Sequence, residues 1–378
     1  MEKIIVRNFI YPSVFGSVNN DIFSDQYAFR PSGSTTAALI SILHDVTNML
    51  LSNDYVYIIG LDFSKAFDTV RHGKLMEKMA KIQIGDDTYN WIENFLDGRK
   101  HCTRAGSEMS EPITINASVI QGSGIGPFAF SVMASDLKPV TEGNKMKKYA
   151  DDTYVLVPSR NTNSIQRELE NVKIWATENN LKLNEKKSQY MVVTKTRKKS
   201  YVNDPKEIEG IEKVISMKIL GVVVMSNLSM QEHIDSLRTG GNQSLYALKI
   251  LKANGLDDKE LSKVCRATLI SKLVYAAPAW FGFLTKEQLG AINAIVKKAK
   301  RWGLYDKGAD ELEEIVDKAE GGLFQKILKD EYHVLAPLLT PIKQGPYNLR
   351  MRGHNRCLPV KSAVTESNYI LRMLFKYC

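Results

Sequence analysis

From Tyr55 to Leu61 every position except Gly60 is apolar or aromatic, an unbroken run of β-formers that predicts a strand buried on both faces and ending at Asp62. Before it, the apolar stretch 35–51 predicts a helix with Ser34 as its N-cap. After it, helices are predicted over 73–81 and 87–96, with Gly98 as a stop. The pattern then gives a hairpin over 103–115 around Gly106-Ser107, a glycine loop at 121–127, and a helix from Phe128 to about Leu137. Two short strand-like runs, 145–149 and 153–157, flank Ala150-Asp151-Asp152, and Ile165, Leu169, Val172 and Trp175 set a helical period over 164–179. Strands are expected at 181–184 and 189–194, and a strand pair bending at Gly221 is expected within 213–225. Residues 1–20 read as the end of a helix and a loop, 229–300 as helical, and 301–378 as mixed. The order strand, helix pair, glycine loop, helix, hairpin suits an antiparallel sheet with helices on one face.

The tight turn Tyr149-Ala150-Asp151-Asp152 carries two adjacent carboxylates. At about 4 Å and an effective dielectric near 20 their repulsion is roughly 4 kcal/mol, which a cation between them would relieve. Asp62, at the end of the central strand, is the natural third carboxylate once adjacent strands bring the two ends together. Hard oxygen ligands suit Mg²⁺, and two such ions about 3.5 to 4 Å apart would activate a hydroxyl and steady an in-line displacement at phosphorus.

Composition narrows the class. Of 378 residues, 44% are hydrophobic and 25% charged, enough for a sizeable core and two or three domains. A net charge of +9 favours a polyanionic partner, and basic stretches lie at Lys145, Lys147 and Lys148, at 195–199, and at Arg350, Arg352 and Arg356 among Tyr347, His354 and Tyr369. Four scattered cysteines form no CxxC pair, so neither a zinc knuckle nor a disulfide framework is indicated. Early charges at Glu2 and Lys3 argue against a signal peptide, and Asn116, Gln121, Pro127 and the glycines argue against a membrane span in the uncharged stretch 112–135. The expected setting is intracellular, nucleus or cytoplasm, and not secreted.

Phe63-Ser64-Lys65-Ala66-Phe67-Asp68 after Asp62, Gln121-Gly122-Ser123-Gly124-Ile125-Gly126-Pro127, Tyr149-Ala150-Asp151-Asp152 and Asn184-Glu185-Lys186-Lys187-Ser188 resemble, in this order, the motifs of reverse transcriptases. Leu220-Gly221-Val222 looks like the primer-grip strand that follows them. Phe29-Arg30-Pro31-Ser32-Gly33-Ser34-Thr35-Thr36, the Asp62 motif with His72, and Leu273-Val274-Tyr275-Ala276-Ala277-Pro278-Ala279-Trp280 are most similar to the polymerases of non-LTR (LINE-type) retrotransposons. By that resemblance Asp62, Asp151 and Asp152 are the metal ligands for two Mg²⁺ ions (Mn²⁺ as a substitute), with the Phe63 carbonyl as an extra oxygen. Phe67 resembles the aromatic gate against a ribose 2′-OH, and Gln121 and Gly122 the loop along the nascent base pair. Lys187, or its neighbour Lys186, resembles the lysine near the leaving pyrophosphate, and Arg30 is a candidate phosphate or template contact.

The resemblance implies an α+β right-hand polymerase fragment: a ferredoxin-like antiparallel palm with partial fingers over 1–225, a helical thumb over 226–300, and a basic C-terminal extension over 301–378. The implied reaction adds dNTPs to a DNA primer 3′-OH on an RNA template. Upstream finger motifs and an endonuclease domain are not found in the sequence, so the chain reads as an N-terminally truncated fragment. A catalytically silent remnant that only binds nucleic acid is the alternative. A nucleotide cyclase on a similar palm explains neither the glutamine-glycine loop nor the thumb-like segment.

Overall fold

The computed structural model describes residues 1–15, 21–120, 122–194, 205–343 and 353–378. Strand β1 (Tyr55–Leu61) is the centre of a five-stranded sheet, and only Gly60 escapes full burial in it. The hairpin of β2 (Lys145–Tyr149) and β3 (Asp152–Pro158) lies on one flank, with β3 antiparallel to β1. Strand β4 (Gln189–Thr194) runs antiparallel to β1 on the other flank, and the short β5 (Glu212–Lys213) closes the edge in parallel.

Side-chain alternation along β1 divides the core in two. Tyr55, Tyr57, Ile59 and Leu61 share one cluster with Val155, Val157, Tyr190 and Val192, and with residues of helices α2 (His72–Met79), α3 (Gly126–Met133) and α4 (Ile165–Glu178). Val56 and Ile58 join Leu156, Met191 and Val193 in a second cluster with the earlier helix α1 (Thr35–Met49). That helix begins where Ser34 Oγ accepts the Ala37 amide (3.1 Å), as its sequence predicts. Helices on one face alone are therefore not what forms. A central strand apolar on both faces needs cover on both, and Thr35–Met49 supplies the second layer.

The second cluster continues without a break into the C-terminal half. A hairpin of β6 (Ser216–Ile219) and β7 (Val222–Met225) contributes Met217, Ile219, Val222 and Val224. Its two-residue bend, Leu220-Gly221, has φ of +46° and +89°, the left-handed pair that a tight hairpin requires. Helices α5 (Gln231–Ala253), α6 (Lys286–Arg301), α7 (Leu312–Lys329) and α8 (Tyr369–Lys376) add Leu245, Ile292, Phe324 and Ile370 to the same cluster. The last segment reaches back to Thr35–Met49: Asn368 Nδ2 donates to Thr47 Oγ1 (3.1 Å). The Arg372 guanidinium forks onto buried Glu320 at 2.5 and 3.0 Å.

The expected strand at 181–184 is reduced to one bridge, Phe63 to Leu183, because the chain turns at once. The amides of Lys187 and Ser188 both return to the Asn184 carbonyl, at 3.2 and 2.9 Å. Among the described residues no helix is long and apolar enough to cross a membrane.

His233 is a titratable group inside the second cluster. Its ring meets Trp280 edge-on at 4.8 Å, and Nδ1 accepts the Val223 amide at 3.5 Å. Burial pushes its pKa from 6.5 down to about 4. In the unfolded chain it takes its proton near pH 6.5, so stability is full above that pH and falls as pH drops towards 4. The expected loss is about 3 kcal/mol, at 1.36 kcal/mol per pH unit. Denaturant titrations between pH 7 and 4 check it: His233→Leu should flatten the drop, and an unchanged slope would exclude His233 as its source.

Candidate active site

Asp62 lies one residue beyond the last β1–β3 ladder pair, Leu61 opposite Thr153, so the continued register sets Asp62 opposite Asp152. Both share the parity of Gly60 and Tyr154, the side on which Met217 of β6 packs: a Cβ on Gly60 would lie 3.5 Å from Met217 Sδ. The backbone of Asp62 is fixed by the 184–188 turn. Its amide donates to Ser188 Oγ (3.2 Å), and its carbonyl accepts the Asn184 amide (2.8 Å). Ser188, fully buried, in turn donates to the Asn184 carbonyl (2.8 Å). Lys187 is thereby held exposed on a turn bonded directly to Asp62, as is Lys186.

Tyr149 and Asp152 form the last pair of the β2–β3 hairpin, which leaves Ala150-Asp151 as the turn. Ala150 has φ of +56°, a conformation that costs a residue with a Cβ. Gln26, 2% exposed, holds it there. Its Oε1 accepts the amides of Ala150 (3.1 Å) and Ala28 (3.0 Å), while Nε2 donates to the Ala150 carbonyl (3.5 Å). Residues 25–27 also run beside β2, the Lys148 amide donating to the Asp25 carbonyl (2.7 Å) and the Tyr27 amide to the Lys148 carbonyl (2.8 Å). Nothing in residue type or spacing marks Gln26, since its partner lies 124 positions away.

Three carboxylates thus meet at one end of the sheet. Removal from water, then Asp151, then Asp62 raise the Asp152 carboxyl to about 6, although part of its side chain reaches the surface. Asp151 is raised by burial first and by Asp62 as well. Each shift means that a negative charge there is unwelcome without a counter-ion. Among the described residues no three His, Cys, Asp or Glu side chains close into a finished metal cage. Mg²⁺ does not need one, since it habitually takes one or two carboxylates together with waters and substrate phosphates.

Phe67 is half-buried, stacked on Phe130 (4.4 Å between centroids, 20° between planes) and edge-on to Phe29 (6.3 Å). Its carbonyl accepts the Val119 amide (2.9 Å), tying the strand end to the start of the glycine loop. In that loop Gly122 is exposed with φ of +83°, and Gln121 lies outside the described residues. The Phe63 ring points into the core against Trp175 (5.8 Å), so only its backbone remains for a ligand.

Other predicted contacts turn inward. Arg30 is buried, its guanidinium donating to the Phe23 carbonyl (2.6 Å) and lying 5.3 Å from the Phe15 ring centre. The run of Lys145, Lys147 and Lys148 is not an open basic patch. Lys145 and Lys147 pair with buried Asp45 at 2.6 and 2.8 Å. Lys148, 1% exposed, pairs with Asp25 (3.0 Å) and donates to the carbonyls of Ala134 and Leu137. Arg356 donates to the Thr340 carbonyl. Residues 195–199, Tyr347, Arg350 and Arg352 lie outside the described residues.

A family model described as reverse transcriptase (RNA-dependent DNA polymerase) matches residues 2–224. The chain belongs to that family. The match begins in the N-terminal helical segment, ends in β7, and takes in Asp62, Asp151, Asp152, Lys187 and Gln26. The chain is 27% identical over 327 residues to the RNA-directed DNA polymerase from mobile element jockey of Drosophila melanogaster, covering 80% of this chain and 34% of that protein. It is 25% identical over 309 residues to the probable RNA-directed DNA polymerase from transposon BS of the same species, covering 75% and 33%. The expected kinship with retrotransposon polymerases is thereby shown, and the chain spans about a third of the length of the curated relatives it matches. Apo telomerase from Candida tropicalis aligns with a TM-score of 0.45 at 9% identity, over 79% of this chain and 52% of that one, a likeness too loose to bear on fold or function.

Within this member of the reverse transcriptase family, Gln26 should be the scaffold of the carboxylate turn. Gln26→Ala leaves the amides of Ala28, buried, and Ala150, half-buried, without an acceptor and should cost about 2 kcal/mol of stability. Denaturant unfolding, with amide exchange at Ala150, measures it; unaltered exchange would free the turn from dependence on Gln26.

Proposed function

We propose that the chain performs template-directed DNA synthesis on RNA, the 3′-OH of a DNA primer attacking the α-phosphate of a dNTP. The observation that carries this reading is the meeting of Asp62 with Asp151 and Asp152 at one sheet end, inside the span matched by the family. In this reading residues 1–225 form the palm with partial fingers, 226–300 the thumb and 301–378 an extension braced against both. Asp62, Asp151 and Asp152 fit two Mg²⁺ ions by their oxygen donors, the carboxyls of Asp151 and Asp152 being raised by burial and by neighbouring charge, and bound ions would acidify the attacking hydroxyl and neutralise charge at phosphorus.

The chain's own residues supply the rest. Lys187, exposed on the turn bonded to Asp62, offers its ammonium to the departing pyrophosphate. Phe67, braced by Phe130 and Phe29, presents a rigid ring to the sugar. Gly122 lets the backbone come close to the new base pair. Arg30 drops out of the substrate set because its guanidinium stays in the core. The internal pairing of Lys145, Lys147 and Lys148 also removes part of the basic surface on which a purely nucleic-acid-binding remnant would rely. The setting that goes with the reaction is intracellular.

Primer extension on an RNA template with Mg²⁺ and dNTPs tests the proposal. Extension is expected with the unaltered chain, to stop on chelation, and to disappear in Asp151→Ala while template–primer binding persists; extension by that variant would remove Asp151 from the centre. Phe67→Ala should raise ribonucleotide use relative to deoxyribonucleotide use about tenfold or more, the usual scale for a lost steric contact. Unchanged sugar selectivity in paired kinetic runs would retire Phe67 as the gate.

A further inference from the structure

The N-terminal helical segment, residues 2–14, is held to the sheet by Val6, Ile10 and Val14, which share the cluster of Ile125 and Phe128. Its first side chain reaches the glycine loop. Glu2 Oε2 accepts the amides of Gly124 (2.6 Å) and Ile125 (3.4 Å), immediately before helix α3. Ser123 Oγ accepts the next amide, that of Gly126, at 2.9 Å, and Pro127 has none to offer. Three successive amides leading into α3, those of Gly124, Ile125 and Gly126, are therefore taken up by one carboxylate and one hydroxyl, with the carboxylate facing the positive end of the helix dipole.

The packing is as specific as the hydrogen bonding. A Cβ on Gly124 would lie 3.0 Å from Glu2 Cβ and 3.1 Å from the Lys3 amide nitrogen, so the segment seats against the loop with no room for a side chain. At its other end the loop is tied through the Val119 amide to the Phe67 carbonyl. Between these anchors sits Gly122, exposed and left-handed. One anchor thus belongs to the residue read as the sugar gate, and the other belongs to Glu2.

We infer that Glu2 is a positioning residue for nucleotide binding: its carboxylate fixes the rear of the glycine loop, so that Gly122 is presented to the incoming base pair in register with Phe67. The inference rests on the proposed polymerase reaction, because the loop has a nucleotide to position only there. Losing Glu2 leaves Asp62, Asp151 and Asp152 in place but lets the loop drift, which is felt in nucleotide affinity more than in the chemical step.

Two measurements on the full chain test it. In single-nucleotide extension Glu2→Ala should raise KM for dNTP about tenfold with kcat changed little, as for a lost pair of charge-assisted bonds, while Glu2→Gln, which keeps an acceptor oxygen, should recover most of the loss. Asn8→Ala, exposed on the same segment, should leave both parameters unchanged. In hydrogen exchange the amides of Gly124 and Ile125 should exchange faster in Glu2→Ala than in the unaltered chain. A wild-type KM in Glu2→Ala, or an equal rise in Asn8→Ala, overturns the role. If Glu2→Ala melts early and loses all activity, Glu2→Gln decides: full activity there supports the clamp, and equal loss overturns it. If the unaltered chain extends no primer, the polymerase reading fails and Glu2's role in it falls too, whereas exchange still decides whether Glu2 holds the loop.

Discussion

The site end of this fold depends on one electrostatic constraint: three carboxylates are held together at the end of the sheet against burial and their mutual repulsion. Burial and mutual repulsion raise Asp152 to about 6 and Asp151 upward, so left to themselves these side chains would move apart. The chain resists by fixing backbone. Strand β1, buried on both faces, sets the position of Asp62, and the turn of Asn184 and Ser188 grips its amide and carbonyl. The opposing turn is held open in its left-handed form by Gln26. Individual hydrogen bonds contribute only about 1 kcal/mol each, so several of them plus the rigidity of a fully paired central strand are needed against a repulsion of a few kcal/mol.

How far this was legible in the sequence follows from the range of each interaction. Tyr55–Leu61, the Ser34 cap, the Leu220-Gly221 bend and the amphipathic helices depend on near neighbours, and period and turn chemistry disclose them. The three carboxylates were legible because motif order carried them. Arg30 and the run at Lys145, Lys147 and Lys148 were misleading for the opposite reason. A surface lysine and a buried one look alike in sequence, and their partners Asp45 and Asp25 lie about a hundred positions or more away. The layer of Thr35–Met49 on the second face belongs with them, since two-sided burial of β1 says that cover exists but not which helix provides it.

The C-terminal half extends the same logic. Residues beyond 300 carry a basic excess in sequence, yet the described ones spend polar groups on cohesion. Arg372 grips buried Glu320, Asn368 reaches Thr47, and one apolar cluster runs from the central strand through Trp280 to Ile370. A hairpin that packs over Gly60 next to the carboxylates is therefore continuous with the helices behind it. Those helices are linked to the site through β6, whose Met217 packs at Gly60 and belongs to the same cluster.

The first thirty residues show what composition hides most completely. Three polar side chains there reach backbone rather than solvent. Gln26 takes both polar groups of Ala150, Arg30 takes the Phe23 carbonyl, and Glu2 takes the amides at the head of α3. Two of these three contacts end on loops that carry the proposed chemistry. A segment that contributes none of the three carboxylates can thus govern where they and the glycine loop stand. Backbone clamps of this kind suit the task, because a bound carbonyl or amide fixes a turn whatever side chain the turn displays, whereas a side-chain contact fixes only itself.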